Sequence, residues 1–294
     1  MTPARKLRAF LAEPGASIVP GASNALTARL VQEAGFKMVL FTGAGFANLE
    51  FGFPDLGLTT MTEVVQQVGR LVDAVDMPVL ADADTGYGNP LNVRRTVREL
   101  ERAGAAAIII EDQVFPKRCG HFDGKDVIPL AEMVGKVQAA VDARRDPDTV
   151  IIARTDARAV FGIEDAIERA RAFVQAGAEV TFVEAPTDSD ELAAIPRSIA
   201  VPQMANMVEG GRTPVLAVGE LERLGFKLVV FANAALRASV KAMRDVLEAL
   251  RRDGTTDKVL DRMVSWDERQ QLVQLPAFSA LEARYAPVPT RPVK

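Results

Sequence analysis

Four acidic residues of this 294-residue chain are spaced so that they could hold a hard metal ion. Asp82 and Asp84 are two residues apart at the end of an apolar run, so in a β-strand their side chains would leave on the same face. Two carboxylates that close raise each other's pKa unless a cation lies between them. Glu111 ends the next run and Asp55 follows an earlier one, so the set offers oxygen ligands suited to Mg²⁺ or Mn²⁺.

Mg²⁺ usually keeps several waters, so we expect one or two carboxylates to bind it directly and the others to hold its waters. A structural role is the alternative: these acids could cap helices or pair with Arg94 and Arg95. We favour the metal site, because those partners would face the flanking helices and not the ends of the strands.

The segment Lys117–His121, Lys-Arg-Cys-Gly-His, contains the only cysteine and the only histidine of the chain, beside two cations. It lies within a long connection, 113–129, and such connections are often lids over a site. Nearby positive charge lowers a thiol pKa from about 8.5, so we expect Cys119 to exchange a proton near neutral pH. An inert loop cysteine is the alternative. The location of the one histidine disfavours a Ser-His-Asp triad.

Other polar residues follow apolar runs in the same way. They are Thr42–Gly45, Arg154–Asp156, Glu184, and Asn206 with Glu209 beyond it. Strand ends become polar on meeting solvent, which is the simpler explanation for any one of these residues. Their repetition after successive runs favours one shared site at the carboxyl ends of strands.

Eight short apolar runs must position these residues. They span 17–20, 38–41, 78–81, 107–110, 150–153, 180–183, 203–206 and 228–231. Near-continuous apolar runs are typical of parallel strands buried on both faces, and the stretches between them show helical spacing, as in 92–103. Glycines at the ends of several such stretches, as at Gly104 and Gly225, indicate where helices stop before strands.

Eight βα units over roughly 250 residues predict an α/β fold, the (β/α)₈ TIM barrel. A doubly wound sheet is the alternative, but no Gly-x-Gly-x-x-Gly follows the first run. We predict one domain, 1–294, with an N-terminal helix and a C-terminal helical extension and tail over 254–294. Apolar residues of that extension could pack on the same barrel or on a neighbouring subunit.

The composition of the chain argues against several classes of function. The net charge of −4 and the lack of a basic run argue against a nucleic-acid partner. No run is long and apolar enough to span a membrane and the N-terminus lacks a signal-peptide pattern, so we expect a cytoplasmic protein. One cysteine excludes an internal disulfide, and one histidine excludes a multi-histidine zinc site within the chain.

Taken together, the motifs resemble the isocitrate lyase/phosphoenolpyruvate mutase superfamily over nearly the whole chain. They are Thr42–Gly45, Pro54–Gly57, Asp82–Gly88, Glu111–Gln113, Lys117–His121, Ala153–Ala157 and Asn206–Gly211. The Lys-Arg-Cys-Gly-His segment is similar to the 2-methylisocitrate lyase, 2,3-dimethylmalate lyase and oxaloacetate hydrolase branches, and also to carboxyvinyl-carboxyphosphonate phosphorylmutase.

The resemblance implies a role for each site residue. Asp82 would bind Mg²⁺ directly, and Asp55, Asp84 and Glu111 would hold its waters. The implied catalytic residues are Cys119, as general acid and base from a closing lid, with Arg154, Glu184 and His121. The implied substrate-binding residues are Thr42, Gly43, Ala44, Gly120, His121, Arg154, Glu184 and Asn206, with Arg154 pairing a carboxylate in bidentate fashion.

The implied reaction is C–C cleavage of a small 2-hydroxy di- or tricarboxylate to an oxo acid such as pyruvate. P–C bond chemistry, oxaloacetate hydrolysis and a barrel that binds carboxylates without turnover are the alternatives. Many relatives carry Tyr at the position of Leu40 and a Tyr/Phe-Pro pair where this chain has Phe231 and Ala232, which leaves the substrate open. The resemblance also implies a dimer or tetramer with C-terminal helices exchanged between subunits.

Overall fold

The computed structural model describes residues 1–122 and 124–286, and its centre is a closed barrel of eight parallel strands. The strands are β1 Ser17–Ala22, β2 Val39–Phe41, β3 Val79–Asp82, β4 Ala107–Glu111, β5 Val150–Thr155, β6 Val180–Val183, β7 Gln203–Asn206 and β8 Leu228–Phe231. They pair in chain order, and β8 pairs with β1 to close the ring, with Ser17 opposite Leu228. The predicted TIM barrel is confirmed, with each predicted run inside or within a residue of a strand.

Helices alternate with the strands. They are α1 Pro3–Ala12, α2 Ala25–Glu33, α3 Gly43–Phe51, α4 Met61–Ala74, α5 Pro90–Arg102, α6 Leu130–Ala143, α7 Arg158–Phe161, α8 Ile163–Gln175, α9 Ser189–Ser198, α10 Val218–Leu224, α11 Ala234–Asp253, α12 Trp266–Leu272 and α13 Leu275–Tyr285. A 3₁₀ helix, Asp257–Arg262, precedes α12.

Helix α5 illustrates how local sequence sets an element. Asn89 caps it by accepting hydrogen bonds from the N–H groups of residues 91 and 92, and Pro90 supplies a favourable first position. Its apolar stripe, Val93, Val97 and Leu100, is fully buried as the spacing predicts. It ends at Arg102, and Gly104 two residues later has a φ of +92°, a backbone conformation that glycine adopts without strain.

The barrel interior is filled by side chains. Leu40, Ile109, Phe182 and Val230 come from the even-numbered strands, as expected for one layer of such a barrel. Leu7 of α1 packs into the same cluster. Residues on the other face of the strands pack against the surrounding helices. This arrangement leaves the carboxyl ends of the strands as the place for a site.

The chain divides into two compact units, Met1–Arg237 and a second that begins at Ala238. The second unit contains most of α11, the 3₁₀ helix, α12 and α13. It exposes large apolar side chains, among them Trp266 at 70% and Phe278 at 61%. Within the described part of the chain, we find no helix with the length and apolar character needed to cross a membrane.

Candidate active site

A cavity of about 380 Å³ opens at the carboxyl ends of the strands. Its floor is the layer of Leu40, Ile109, Phe182 and Val230. The predicted site residues that line it are Thr42, Ala44, Asp55, Asp82, Cys119, Gly120, His121, Arg154, Glu184 and Asn206. The other three, Gly43, Asp84 and Glu111, lie beside this lining and contact it. The fold thus brings together residues separated by more than 160 positions in the chain.

Helix α3 begins directly after β2, which the sequence reasoning did not predict. Thr42 is its N-cap, and the Thr42 hydroxyl oxygen accepts a hydrogen bond from the Gly45 N–H at 3.3 Å. The Gly43 N–H donates to Asp82 Oδ2 at 3.2 Å. A helix N-terminus presents N–H groups and a partial positive charge, so this end of α3 suits an anionic group.

The carboxylates of Asp82 and Asp84 converge, although not by the predicted route: a Cβ on Gly43 would lie 3.0 Å from Asp82 Oδ2 and 3.4 Å from Asp84 Oδ1. Strand β3 ends at Asp82, and Asp84 lies beyond it in a left-handed turn with φ +47°, so strand alternation does not set its direction. Lys117 Nζ lies 2.5 Å from Asp55 Oδ1 and 2.9 Å from Asp84 Oδ1, and its side chain is 4% exposed. The second contact is an ion pair without hydrogen-bond alignment, since Asp84 Oδ1 has no hydrogen-bond partner among the described residues.

Electrostatics indicate that this cluster is short of positive charge. Burial raises the pKa of Asp84 to about 6, and Asp82 and Asp55 add to the rise while Lys117 opposes it. Burial would lower the pKa of Lys117, but the surrounding carboxylates outweigh it and raise that pKa well above its ordinary value. A second cation would therefore relieve repulsion that Lys117 leaves uncompensated.

The residues present fit a divalent metal ion held through few direct bonds. The buried Glu111 Oε1 has no hydrogen-bond partner in the described structure, and the donor set consists of the carboxylate oxygens that Mg²⁺ prefers. In the described parts of the chain, His, Cys, Asp and Glu side chains nowhere gather in a group of three or more placed to hold a metal. The predicted arrangement, with most of the carboxylates acting through water, is compatible with that spacing.

Arg154 lies at the centre of the cavity wall and contacts three acids. Its Nε and Nη2 donate to the two oxygens of Asp156 at 2.9 and 3.1 Å. Its Nη1 lies 3.2 Å from Glu111, its register partner on β4, and its Nη2 lies 3.4 Å from Glu184. Arg154 is therefore already bidentate to an internal carboxylate, Asp156, and its Nη1 faces Glu111; its pairing with a substrate carboxylate stays a prediction.

A buried network behind Arg154 was missed by the sequence reasoning. Lys125 Nζ lies 2.9 Å from Asp156 Oδ1 and also donates to the Gly120 carbonyl. Asp112 accepts from the Thr155 hydroxyl at 2.7 Å and from the Asp156 N–H at 2.9 Å, and burial raises its pKa to about 6. Asp112 and Asp156 directly follow β4 and β5 and lie in the segments named from the sequence, but their partners Lys125 and Thr155 were not predicted. The network ties the long connection to β5.

The connection 113–129 is closed at its base by a pairing between Gln113 and Val127. The Gln113 side chain also bonds both backbone groups of Arg118. The Cys119 N–H donates to the Asp55 carbonyl at 3.2 Å, so the tip of this connection lies against the carboxylate cluster of Asp55, Asp82 and Asp84. The expected lowering of the Cys119 pKa is wrong: burial raises it, and the neighbouring Lys117 is engaged by carboxylates.

Several polar atoms of the cavity wall lack partners within the described structure. They are His121 Nε2, Asn206 Oδ1 and Asn233 Oδ1. His121 Nδ1 accepts from the Arg212 N–H at 3.2 Å, so the proton of the neutral ring is assigned to Nε2, 3.4 Å from Glu184. Burial lowers the His121 pKa, which favours that neutral form. Unpaired buried groups in a cavity are suited to hydrogen bonds with a ligand. Asn233 was not singled out from the sequence.

Comparison with known proteins extends over nearly the whole chain. The phosphoenolpyruvate phosphomutase family matches residues 7–251. The chain is 46% identical to 2,3-dimethylmalate lyase of Eubacterium barkeri, covering 97% of this chain and 99% of that protein. It is 43% identical to 2-methylisocitrate lyase of Aeropyrum pernix, covering 92% and 87% respectively. These names confirm the predicted superfamily and the predicted enzyme class, a lyase.

Solved structures agree. A crystal structure of 2,3-dimethylmalate lyase, described as a PEP mutase/isocitrate lyase superfamily member, superposes with a TM-score of 0.91 at 37% identity over 97% of this chain and 95% of that one. Phosphonopyruvate hydrolase in complex with oxalate and Mg²⁺ superposes with a TM-score of 0.87 at 33% identity, over 97% and 99%. The chain therefore belongs to the phosphoenolpyruvate phosphomutase family, within the PEP mutase/isocitrate lyase superfamily that its motifs resemble.

Proposed function

We propose that this protein is a Mg²⁺-dependent lyase that cleaves a C–C bond in a small 2-hydroxy di- or tricarboxylate of the 2-methylisocitrate or 2,3-dimethylmalate type. The observation that carries the proposal is the joint lining of one cavity by a carboxylate cluster, a helix N-terminus, Arg154 and the Cys119 thiol. The lyase names of the relatives support the same reaction class.

Asp82 would bind the metal ion directly, and Asp55, Asp84 and Glu111 would hold its waters. Mg²⁺ fits this oxygen donor set, and Mn²⁺ is an alternative with the same preference. When bound, the ion supplies Lewis-acid stabilisation of negative charge that develops on substrate oxygens. Lys117 would then move away from Asp55 or share it, because one ammonium and one divalent ion compete for the same oxygens.

The chain's own residues bind and orient the substrate. One carboxylate would lie at the N-terminus of α3, against Thr42, Gly43 and Ala44, where N–H groups and the helix dipole favour an anion. The guanidinium of Arg154 would attract a second anionic group, in competition with Glu111 and Glu184, which it contacts already. Gly120 brings its backbone close to Arg154, since a Cβ on it would lie 2.6 Å from Nη2. His121 and Asn206 would complete the hydrogen bonds to the distal group.

In the reaction, the hydroxyl proton passes to Glu184 and the bond between the hydroxyl-bearing carbon and its neighbour breaks. An oxo acid forms on one side, and the electron pair remains on the carbon next to the other carboxylate. The Cys119 thiol then gives its proton to that carbon. The raised pKa of Cys119 keeps the thiol protonated, which suits the acid half of the role predicted from the sequence.

A screen of 2-hydroxy and 2-oxo diacids tests the proposal. With Mg²⁺ present we expect pyruvate or a similar oxo acid from at least one branched malate or methylisocitrate, and no release after chelation with EDTA. Oxalate from oxaloacetate would instead favour the hydrolase alternative. Turnover of phosphonopyruvate or phosphoenolpyruvate, followed by phosphorus NMR, would favour the P–C chemistry that the phosphonopyruvate hydrolase neighbour raises. If all substrates stay unchanged, the lyase proposal is wrong and a binding barrel becomes the better account.

The metal site can be tested without turnover. Asp84→Asn is expected to weaken Mg²⁺ binding about 10- to 100-fold, measured by isothermal titration calorimetry, because a group that orients the ion's waters loses its charge. Asn tolerates the left-handed backbone of position 84, so the fold should be retained. The matched control is Asp165→Asn, an acid on α8 that pairs with Arg169, and it should leave the affinity unchanged. If Asp84→Asn bound Mg²⁺ as tightly as the wild type, the assignment of Asp84 to the metal site would be wrong.

We also propose a dimer or tetramer in which the C-terminal helices pack on a neighbouring subunit. The large exposed apolar side chains of the second unit, such as Trp266 and Phe278, support this, because packing on another subunit would remove them from water. Phe278→Asp is expected to shift the mass measured by light scattering toward the monomer. Leu91→Asp, an exposed leucine on α5, is the control. A wild-type monomer would overturn the proposal.

The cytoplasmic location and single-domain organisation predicted from the sequence stay proposals.

A further inference from the structure

A lysine outside the cavity lining bonds the backbone next to the Cys119 thiol. Lys125 Nζ donates to the carbonyl of Gly120, the residue that follows Cys119 in the chain. The other side of the thiol is held by the Gln113 side chain, which bonds both backbone groups of Arg118. Lys125 therefore supplies a corresponding contact on the C-terminal side of the thiol.

The second partner of Lys125 is a buried carboxylate. Lys125 Nζ lies 2.9 Å from Asp156 Oδ1, and the two side chains are 2% and 0% exposed. Burial would raise the pKa of Asp156, but Arg154 and Lys125 outweigh it and lower that pKa, so the carboxyl group is ionised. A buried charge that loses its partner is strongly destabilised, so this pair confines the ammonium to one place.

Asp156 is itself fixed, and it fixes Arg154. Its two oxygens accept from Arg154 Nε at 2.9 Å and Nη2 at 3.1 Å, and its N–H donates to Asp112 at 2.9 Å. The Gly120 backbone lies against the same guanidinium, since a Cβ on Gly120 would lie 2.6 Å from Nη2. Gly120 is thus next to Arg154 and is joined to it a second time, through Lys125 and Asp156.

We infer that Lys125 is a positioning residue for the Cys119 thiol. By fastening Gly120 to Asp156, it fixes the place of the thiol relative to the Arg154 guanidinium. Lys125 lies outside the cavity lining that the described residues form, so it acts through these groups and not by touching the substrate. The kinetic part of the inference rests on the proposed function, in which Cys119 gives a proton to a substrate carbon. A donor displaced by about 1 Å transfers its proton much more slowly.

Lys125→Met tests the kinetic consequence. The variant removes the donor to Gly120, whereas Asp156 keeps both bonds from Arg154. With Mg²⁺ and the substrate found for the wild type, we expect kcat to fall about 10- to 100-fold and KM to change by less than about threefold. Lys125→Arg keeps a charged donor and should restore most of the lost kcat.

The place of the thiol can be measured without turnover, because Cys119 is the only cysteine of the chain and is partly exposed. Its reaction with iodoacetamide is followed by intact mass. We expect the rate constant to be about tenfold higher in Lys125→Met than in the wild type, because opening no longer breaks a hydrogen bond from a buried ammonium. Loss of a positive charge by itself would make the thiol less reactive, so a higher rate reports opening.

The matched control is Lys227→Met. Lys227 is 9% exposed and lies outside the described cavity lining, and its ammonium donates to the carbonyls of Glu13 and Gly15, the second at 2.7 Å. This variant should lower the melting temperature but leave kcat and the iodoacetamide rate unchanged. If Lys125→Met also lowers only the melting temperature, the lysine has a merely structural role and the inference is overturned.

Lys125→Gln serves if the methionine variant fails to fold. Its shorter, neutral side chain should also raise the iodoacetamide rate and lower kcat, and an unchanged iodoacetamide rate would overturn the inference. A higher rate with unchanged kcat would overturn it too, because the place of the thiol would then not matter to the reaction. If the wild type cleaves none of the substrates, the proposed function is wrong, while a higher iodoacetamide rate in the variant still supports the fastening of Gly120 by Lys125.

Discussion

Cys119→Ser is expected to lower kcat for C–C cleavage by about 10²- to 10⁴-fold, the usual contribution of a positioned proton donor. The hydroxyl of serine is a far weaker acid than the thiol, so protonation of the carbanion becomes slow. KM should change little, because the carboxylate-binding groups at α3 and Arg154 are untouched. Oxo-acid release, coupled to NADH oxidation by a dehydrogenase, measures the rate.

The control for the loop is Arg118→Gln. Arg118 is exposed and precedes Cys119, and its backbone N–H and carbonyl are bonded by the Gln113 side chain. This variant should retain nearly full activity, and both variants should melt within a few degrees of wild type. An unchanged kcat in Cys119→Ser would mean that the thiol is not the proton donor of the reaction.

Arg154→Met should have the second large effect, on activity and on stability together. Removing the guanidinium leaves Glu111, Glu184 and Asp156 buried with less positive charge, although Lys125 still pairs with Asp156. Breaking a buried ion pair costs about 3–5 kcal/mol, and the free energy of unfolding should fall by an amount in this range. We expect kcat/KM to fall at least about 10²-fold, since preorganised charge at the cavity is lost. Urea unfolding and steady-state kinetics measure the two effects.

Arg158→Met is the matched control. Arg158 forms its own ion pair with Glu191 at 2.8 Å, but its side chain is 21% exposed and Arg158 lies outside the cavity lining. Its loss should cost about 1 kcal/mol or less and leave kcat/KM nearly unchanged. Equal losses of stability in the two variants would mean that burial of the Arg154 cluster has no special energetic cost.

The barrel could be predicted because its signal is local and repeated. Each buried parallel strand must be apolar on both faces, so the eight strands are visible as eight apolar runs. The site residues at the strand ends could be predicted for a related reason. Polar residues at the carboxyl ends of the barrel strands all lie at the same rim, however far apart they are in the sequence.

The contacts between individual side chains at the rim of the barrel could be determined only from the tertiary structure. The left-handed turn at Asp84 and the immediate start of α3 after Thr42 set the directions of side chains, and neither follows from strand periodicity. The sign of the Cys119 pKa shift also depended on burial and on which groups engage Lys117. Positive neighbours in the chain predicted the opposite sign.

The sequence by itself identified the strands, and with them the acids and the thiol that follow the strands. It could do so because buried strands impose a repeated apolar pattern on the order of residues. The balance of charge and the free space in the cavity could not be predicted from the sequence in this way. Arg154 pairs with Glu111 and Glu184, and Gly21 lies against the Ala232 carbonyl, because chain segments far apart in sequence are packed together. Electrostatic energy and steric fit depend on such distances, so only the folded barrel determines them.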